Sequence, residues 1–196
     1  MPTKTFISKD EKSAPGHKVA KERLTLLLGG NAAGDFKFKP FLIYVSANPR
    51  AMKNINKDRL GVPWRSNKKA WMTASMFFEW VKNCCIPELK EYAKKKTYLS
   101  NLKLLLIMLL VHPIYVIEIN KNVIFEFLPP NIQPMDQGAI SNFKCYYLRR
   151  NYEQLLNNNE NPNSMKEFWT NYNILLAVRN IVEAWEEVKE SCMRGV

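Results

Sequence analysis

The sequence predicts an α/β domain built on a mixed sheet, and three observations carry that expectation. Short apolar segments bounded by Gly, Pro and Asn recur as strands do, longer segments repeat apolar residues at helical spacing, and the two kinds interleave along the chain. The expected order is hairpin, helix, strand, strand, helix, helix. A chain of 196 residues has the length of one domain, and 46% hydrophobic residues with five Trp, ten Phe and eight Tyr can supply one core.

Arg23–Gly29 ("RLTLLLG") and Pro40–Ser46 ("PFLIYVS") are apolar and joined by the turn-rich "GNAAGDFKFK", which predicts a hairpin. Glycines 29, 30 and 34 raise a phosphate loop as an alternative, but G-K-[ST] is absent and both flanks are strand-like. A polar stretch with "NPR", "GVP" and "RSNKK" follows. Thr73–Lys94 then places Met76, Phe77, Trp80, Val81 and Cys84 at helical spacing. Leu102–Val111 reads as a buried strand, since its eight consecutive apolar residues, Leu104 to Val111, end at His112-Pro113. That run falls far short of the roughly 20 residues a membrane helix needs. "NVIFEFLPP" (Asn122–Pro130) predicts a second strand, and Ile140, Phe143 and Tyr147 predict a helix opening at Asp136. After the loop "NNNENPN", the capping box Ser164–Glu167 opens one last helix carrying Phe168, Tyr172, Leu175, Ile181, Trp185 and Val188.

Charge divides the chain unequally. Residues 1–70 carry 15 Lys/Arg against 5 Asp/Glu, a net of +10, whereas residues 71–196 carry 14 against 13, a net of +1. Basic clustering of this kind fits a polyanion partner, because Lys and Arg on phosphates release condensed counterions. It also fits an ordinary solvated basic surface. Lys37, Lys39, Lys53, Arg65, Lys68 and Lys69 are the candidate phosphate contacts. The four cysteines, Cys84, Cys85, Cys145 and Cys192, lack C-x-x-C spacing and read as reduced core thiols. With two histidines, His17 and His112, neither a His-rich metal site nor a Cys/His catalytic pair can be assembled. No signal peptide or membrane span is expected.

The strings "EKSAPGHK", "RLTLLLGGNAAGDFKFKPFLIY", "NKKAWMT", "FLPPN" and "QPMDQGAISNFK…YYLRR" closely resemble DDE superfamily transposases of the pogo/Tigger type, in the same order and over nearly the whole chain. The resemblance implies an RNase H-like mixed sheet flanked by helices, and DNA transposition in the nucleus. It also implies three acids holding two divalent metals, Mg²⁺ or Mn²⁺. Two such ions about 4 Å apart need hard oxygen ligands to neutralise and position them. By the same resemblance, residues 1–156 form a partial DDE domain and residues 157–196 its helical extension.

Against the family pattern, the third acid survives as Asp136 in "QPMDQG". The first acid, in a strand of the form D-E-T-x-x-x-W-K, falls before Met1, so the fold is expected to lack its first catalytic strand. The second belongs to "IDNAPGHP", where this chain has "LIMLLVHP" and Ile107 takes the acid's place. One frame slip explains the change, since ATT-GAT-AAT-GCT-CCT-GGT-CAC read one base later spells L-I-M-L-L-V. The loop before Asp136 is also about four residues short, "FLPPNIQPMDQG" standing for "FLPPNTTSLIQPMDQG", and the family's upstream helix-turn-helix segments are not expected on this polypeptide.

The resulting expectation is a catalytically inactive, nuclear, transposase-derived domain that binds DNA without sequence preference. It has no cofactor, no metal site and no membrane partner, and its exposed sheet edges favour self-association. Two alternatives stand beside it. One is a protein-interaction module using the C-terminal half, where Phe168, Trp169, Tyr172 and Trp185 fit an interface or a core, or else a remnant without function. The other is residual nuclease activity, with Asp136 assisted by Asp35, Glu118 or Glu126.

Overall fold

The structure is a computed structural model. It describes residues 23–31, 33–96, 135, 138–157 and 164–194, with backbone alone for 164–167 and for the strands at 102–107 and 123–128. The predicted hairpin is present as β1 (Thr25–Leu27) antiparallel to β2 (Phe41–Tyr44), with Leu26 opposite Leu42 and Leu27 opposite Phe41. A third strand, β3 (Trp64–Ser66), pairs parallel to the other edge of β2, in the stretch expected to be a polar connection. β4 (Leu102–Ile107) and β5 (Val123–Leu128) form a separate parallel pair, in register from Leu102–Val123 to Ile107–Leu128. Among the described residues the chain is thus α/β with a small mixed sheet and helices, an arrangement compatible with the RNase H-like fold.

Strand β2 is the centre of the larger layer. All four of its residues are buried, and strand geometry sends alternate side chains to opposite faces. Phe41 and Ile43 join Phe38, Phe77, Trp80, Val81, Cys85 and Leu89 on one face. Leu42 and Tyr44 join Trp64, Phe143, Val178, Ile181, Trp185 and Met193 on the other. Each fully buried side chain of this size contributes about 1.5–3 kcal/mol relative to exposure, so two such clusters explain why a sheet of short strands holds.

The helix expected at Thr73–Lys94 forms as α1 (Ala74–Trp80) and α2 (Ile86–Lys95), joined by a π-helical turn at Val81–Cys85. Thr73 caps the start by accepting from the Met76 amide. Pro87 explains the wide turn: its ring would meet the carbonyl four residues back, and the widened register gives Ile86 N–H a partner at the Val81 carbonyl instead. Burial pushes the Cys85 thiol up to about 12, so it is an inert core group.

Helix α3 (Ala139–Asn157) begins three residues after the predicted Asp136, which lies outside the described residues. The single final helix is corrected to three: α4 (Ser164–Asn171), α5 (Ile174–Glu187) and α6 (Glu190–Arg194). Asn173 breaks the run, leaving the helical region (φ −130°, ψ 171°) so that its side chain accepts from the Leu175 and Leu176 amides as a new N-cap. The expected aromatic stripe divides accordingly. Trp185 is core at 3% exposure and donates from Nε1 to the Phe38 carbonyl at 2.8 Å, while Trp169 is 46% exposed.

Between α3 and α5 lies a buried polar set. Asn180 Nδ2 donates to Asn151 Oδ1 at 2.7 Å, Gln154 Nε2 donates to Asn180 Oδ1 at 2.8 Å, and the Tyr172 and Tyr147 hydroxyls are 3.0 Å apart. At its rim Arg150 is ion-paired with Glu183 and Glu187. No helix among the described residues is long and apolar enough to cross a membrane.

Candidate nucleic-acid interface

Among the described residues, cations of the basic third reach the surface around β3. A groove of about 610 Å³ runs there, lined by Lys39, Lys57, Arg65 and Ser66 among others, with Asp58 as its acid. Lys39, Lys53, Lys68 and Lys69 are exposed, as are Arg50 and Arg59, which charge alone had not singled out. Lys57 is held in place by donating to the Ala47 carbonyl and Asn48 Oδ1. Arg65 is drawn to the α1 face, where Nη2 pairs with Glu79 Oε1 and Nη1 donates to its neighbour's carbonyl, that of Trp64. That pairing raises the guanidinium further and lowers Glu79, so part of its charge is already neutralised.

Lys37 does something different from the other candidates. Its Nζ donates to the carbonyls of Trp185 (2.6 Å), Glu186 (3.1 Å) and Val188 (2.6 Å). Those are carbonyls at the C-terminal end of α5, where the helix presents its negative dipole end; the Trp185 carbonyl also accepts from the Val188 amide at 3.3 Å. All three ammonium donors are engaged, and burial lowers the lysine below its usual range. Lys37 therefore ties the hairpin to α5 and has no donor left for phosphate.

The hairpin turn is likewise structural. Gly34 has φ +78°, and a Cβ there would stand 2.5 Å from the Glu190 carbonyl oxygen; one on Gly30 would meet Met193 Cε at 2.6 Å. These glycines let the turn press onto α6. Asp35, named above as an assisting acid, accepts from Asn31 Nδ2 (2.6 Å) and the Tyr92 hydroxyl (3.0 Å) and pairs with Lys96 Nζ (2.8 Å). The Asn31 bond, then Lys96, hold its carboxyl well below the usual range. It locks the turn to α2.

The described residues do not fit a two-metal site. Ile107 is the last residue of β4, opposite Leu128, and a hydrocarbon side chain offers no oxygen ligand. No group of three or more His, Cys, Asp or Glu that could hold a metal occurs among the described residues. Glu118, like Asp136, lies outside them, and Glu126 is described by its backbone in β5 alone.

The loop after β3, Asn67–Trp71, was legible only as part of a polar stretch. It leaves the groove at Ser66 and presents Lys68, Lys69 and an exposed Trp71.

Comparison with known proteins gives the family of the chain. The profile of the DDE superfamily endonuclease family matches residues 21–196. Human Tigger transposable element-derived protein 7 is 29% identical over 207 residues, covering 97% of this chain and 38% of that protein. Mouse Tigger transposable element-derived protein 4 is 30% identical, covering 96% and 34%, and human Jerky protein homolog 28%, covering 93% and 32%. The chain thus spans roughly a third of the length of these relatives. No solved structure is matched. By its sequence over residues 21–196 the chain belongs to the DDE superfamily endonuclease family, in the pogo/Tigger type.

Proposed function

We propose that this chain is a transposase-derived DDE domain without nuclease activity, acting in the nucleus and binding DNA or other nucleic acid without sequence preference. The observation that carries binding is the set of exposed cations around β3, Lys39, Lys53, Lys68 and Lys69, on a segment with net charge +10. Arg65 adds a cation half-shared with Glu79, and Lys37 leaves the set because α5 consumes its donors. Inactivity is supported by Ile107 where the family has its second acid, and by the structural engagement of Asp35. Asp136 is then a vestigial third acid, and no divalent metal or other cofactor is used. We read the fold as RNase H-like, with residues 157–196 an extension of the same domain. The Trp185–Phe38 and Lys37–α5 bonds favour that single unit.

The test is DNA affinity against salt. Phosphate-dominated binding should weaken steeply between about 50 and 200 mM salt. Neutralising Lys68 and Lys69 should weaken binding to every duplex equally. Salt-independent binding, or strong preference for one duplex, would contradict the proposal.

A second reading, a protein-interaction module, is favoured by one feature. Leu148, Tyr152 and Leu156 stand four residues apart on α3 and are all exposed. Crosslinking in cells separates the two, with DNA recovered under the first and protein partners under the second.

A further inference from the structure

The loop Asn67–Trp71 is built to hold an indole in solvent. Asn67 organises it. Its amide donates to the Tyr44 carbonyl at the end of β2 (3.0 Å), and its own carbonyl accepts from the Ala70 amide (3.0 Å). Its Oδ1 accepts from the amides of Lys69 and Trp71, both at 3.1 Å, and its Nδ2 donates to the Trp71 carbonyl at 2.6 Å. Ala70 takes the left-handed conformation (φ 51°), is 1% exposed, and has its carbonyl bonded by Thr25 Oγ1 at 2.6 Å. A non-glycine residue holds that backbone conformation only where its surroundings over-determine it. The outcome of this construction is a tryptophan 57% exposed, between two lysines and the start of α1. Lys69 Nζ lies 5.6 Å from its ring centroid, and Lys68 is exposed beside it.

We propose that Trp71 is a stacking platform for an unpaired nucleobase, with Lys68 and Lys69 holding the adjoining phosphates. This deepens the proposed nucleic-acid binding and rests on it. An aromatic face set among cations supplies the two elements that single-stranded nucleic acid requires, and stacking tolerates any base because every base has a π face. In a duplex both faces of an interior base are already stacked, so the indole adds affinity only for single strands, gaps or frayed ends. The rigid loop limits the ordering cost of binding. The ligand class is therefore single-stranded DNA or RNA, approached along the groove that Lys39, Lys57, Arg65 and Ser66 line.

The experiment measures anisotropy titrations of the full chain with a labelled oligodeoxythymidylate, a duplex of the same length, and an abasic single strand that keeps the phosphates. Trp71→Ala should weaken binding to the oligothymidylate about tenfold and leave duplex and abasic affinities unchanged. Trp71→Phe should restore most of the loss. A double Lys68→Gln, Lys69→Gln variant should weaken all three ligands. Thermal unfolding of each variant checks the loop, and the abasic strand serves as internal control for folded protein. If Trp71→Ala binds the oligothymidylate as wild type does, stacking is overturned while general binding stands. If its loss is equal on all three ligands, Trp71 serves the loop and stacking is again overturned. Should the wild-type chain bind none of them at low salt, both proposals fall.

Discussion

β2 and β4 are both short apolar strands, yet the molecule uses them differently. β2 is paired on both edges and buried between two helical layers, whereas β4 pairs with β5 in a sheet that is separate among the described residues. Apolar sequence is enough to make a strand. It is not enough to make a site whose ligands come from several strands of one sheet, because that demands continuity between them. β4 ends at Ile107, whose hydrocarbon side chain offers no oxygen ligand, and the proposed loss of nuclease activity leans on that residue.

The largest expected effect tests the well-packed layer. Phe77, fully buried against β2, should cost about 3–5 kcal/mol when truncated to Ala, measured by urea unfolding. A loss below about 1 kcal/mol would mean that the face carries little of the stability.

Next comes the pocket between β1 and α3. Leu24, Leu26 and Leu28 line a pocket of about 240 Å³ with Ile140 and Phe143, an apolar place beside β1 where a further strand could pack. An extended apolar peptide that fills this pocket should therefore stabilise the chain, by about 2.7 kcal/mol at a hundredfold excess over its Kd. Without it, size-exclusion chromatography should find self-association through the edges that are unpaired among the described residues. A monomer melting cooperatively well above about 50 °C and indifferent to the peptide would end this expectation.

A smaller effect separates two lysines that look alike in sequence. Lys37→Met keeps the aliphatic stem but takes the ammonium away from the carbonyls of Trp185 and Val188, and should cost about 1–2 kcal/mol. Lys68→Met should change stability by less than about 0.5 kcal/mol. Equal costs would remove the distinction between structural and interface cations.

The smallest effect is on pH. Asp35 is held below its ordinary value of 3.8, so its contribution is complete above that pH and is lost as pH falls toward its folded value. Asp35→Asn should flatten the acid limb of stability between about pH 4 and pH 2, leaving neutral pH behaviour closer to wild type. An unchanged acid limb would show that the turn is not locked through this carboxylate.

Periodicity made β1, β2, α3 and the α1–α2 region legible, since each has enough apolar residues to reveal its period. Trp64-Arg65-Ser66 is too short to show one, and it is a strand because Leu42, Ile43 and Tyr44 supply the other half of the ladder. The break at Asn173 was hidden by apolar spacing that continues across it. The cations were legible as a class but not individually. The partners of Lys37 lie 148 to 151 residues away, and only tertiary structure shows that one lysine caps a helix while another meets solvent. Trp71 was obscured for the same reason, because exposure is decided by the loop that Asn67 ties.

We propose that this DDE domain holds nucleic acid without cutting it. Supercoiled plasmid incubated at low salt with Mg²⁺ or Mn²⁺ reads both halves at once, as retardation and as nicks. The chain, Asp136→Ala and Ile107→Asp should all retard the plasmid, and none should nick it above the buffer control. Nicking by the wild-type chain that disappears in Asp136→Ala, or that first appears in Ile107→Asp, would contradict the account.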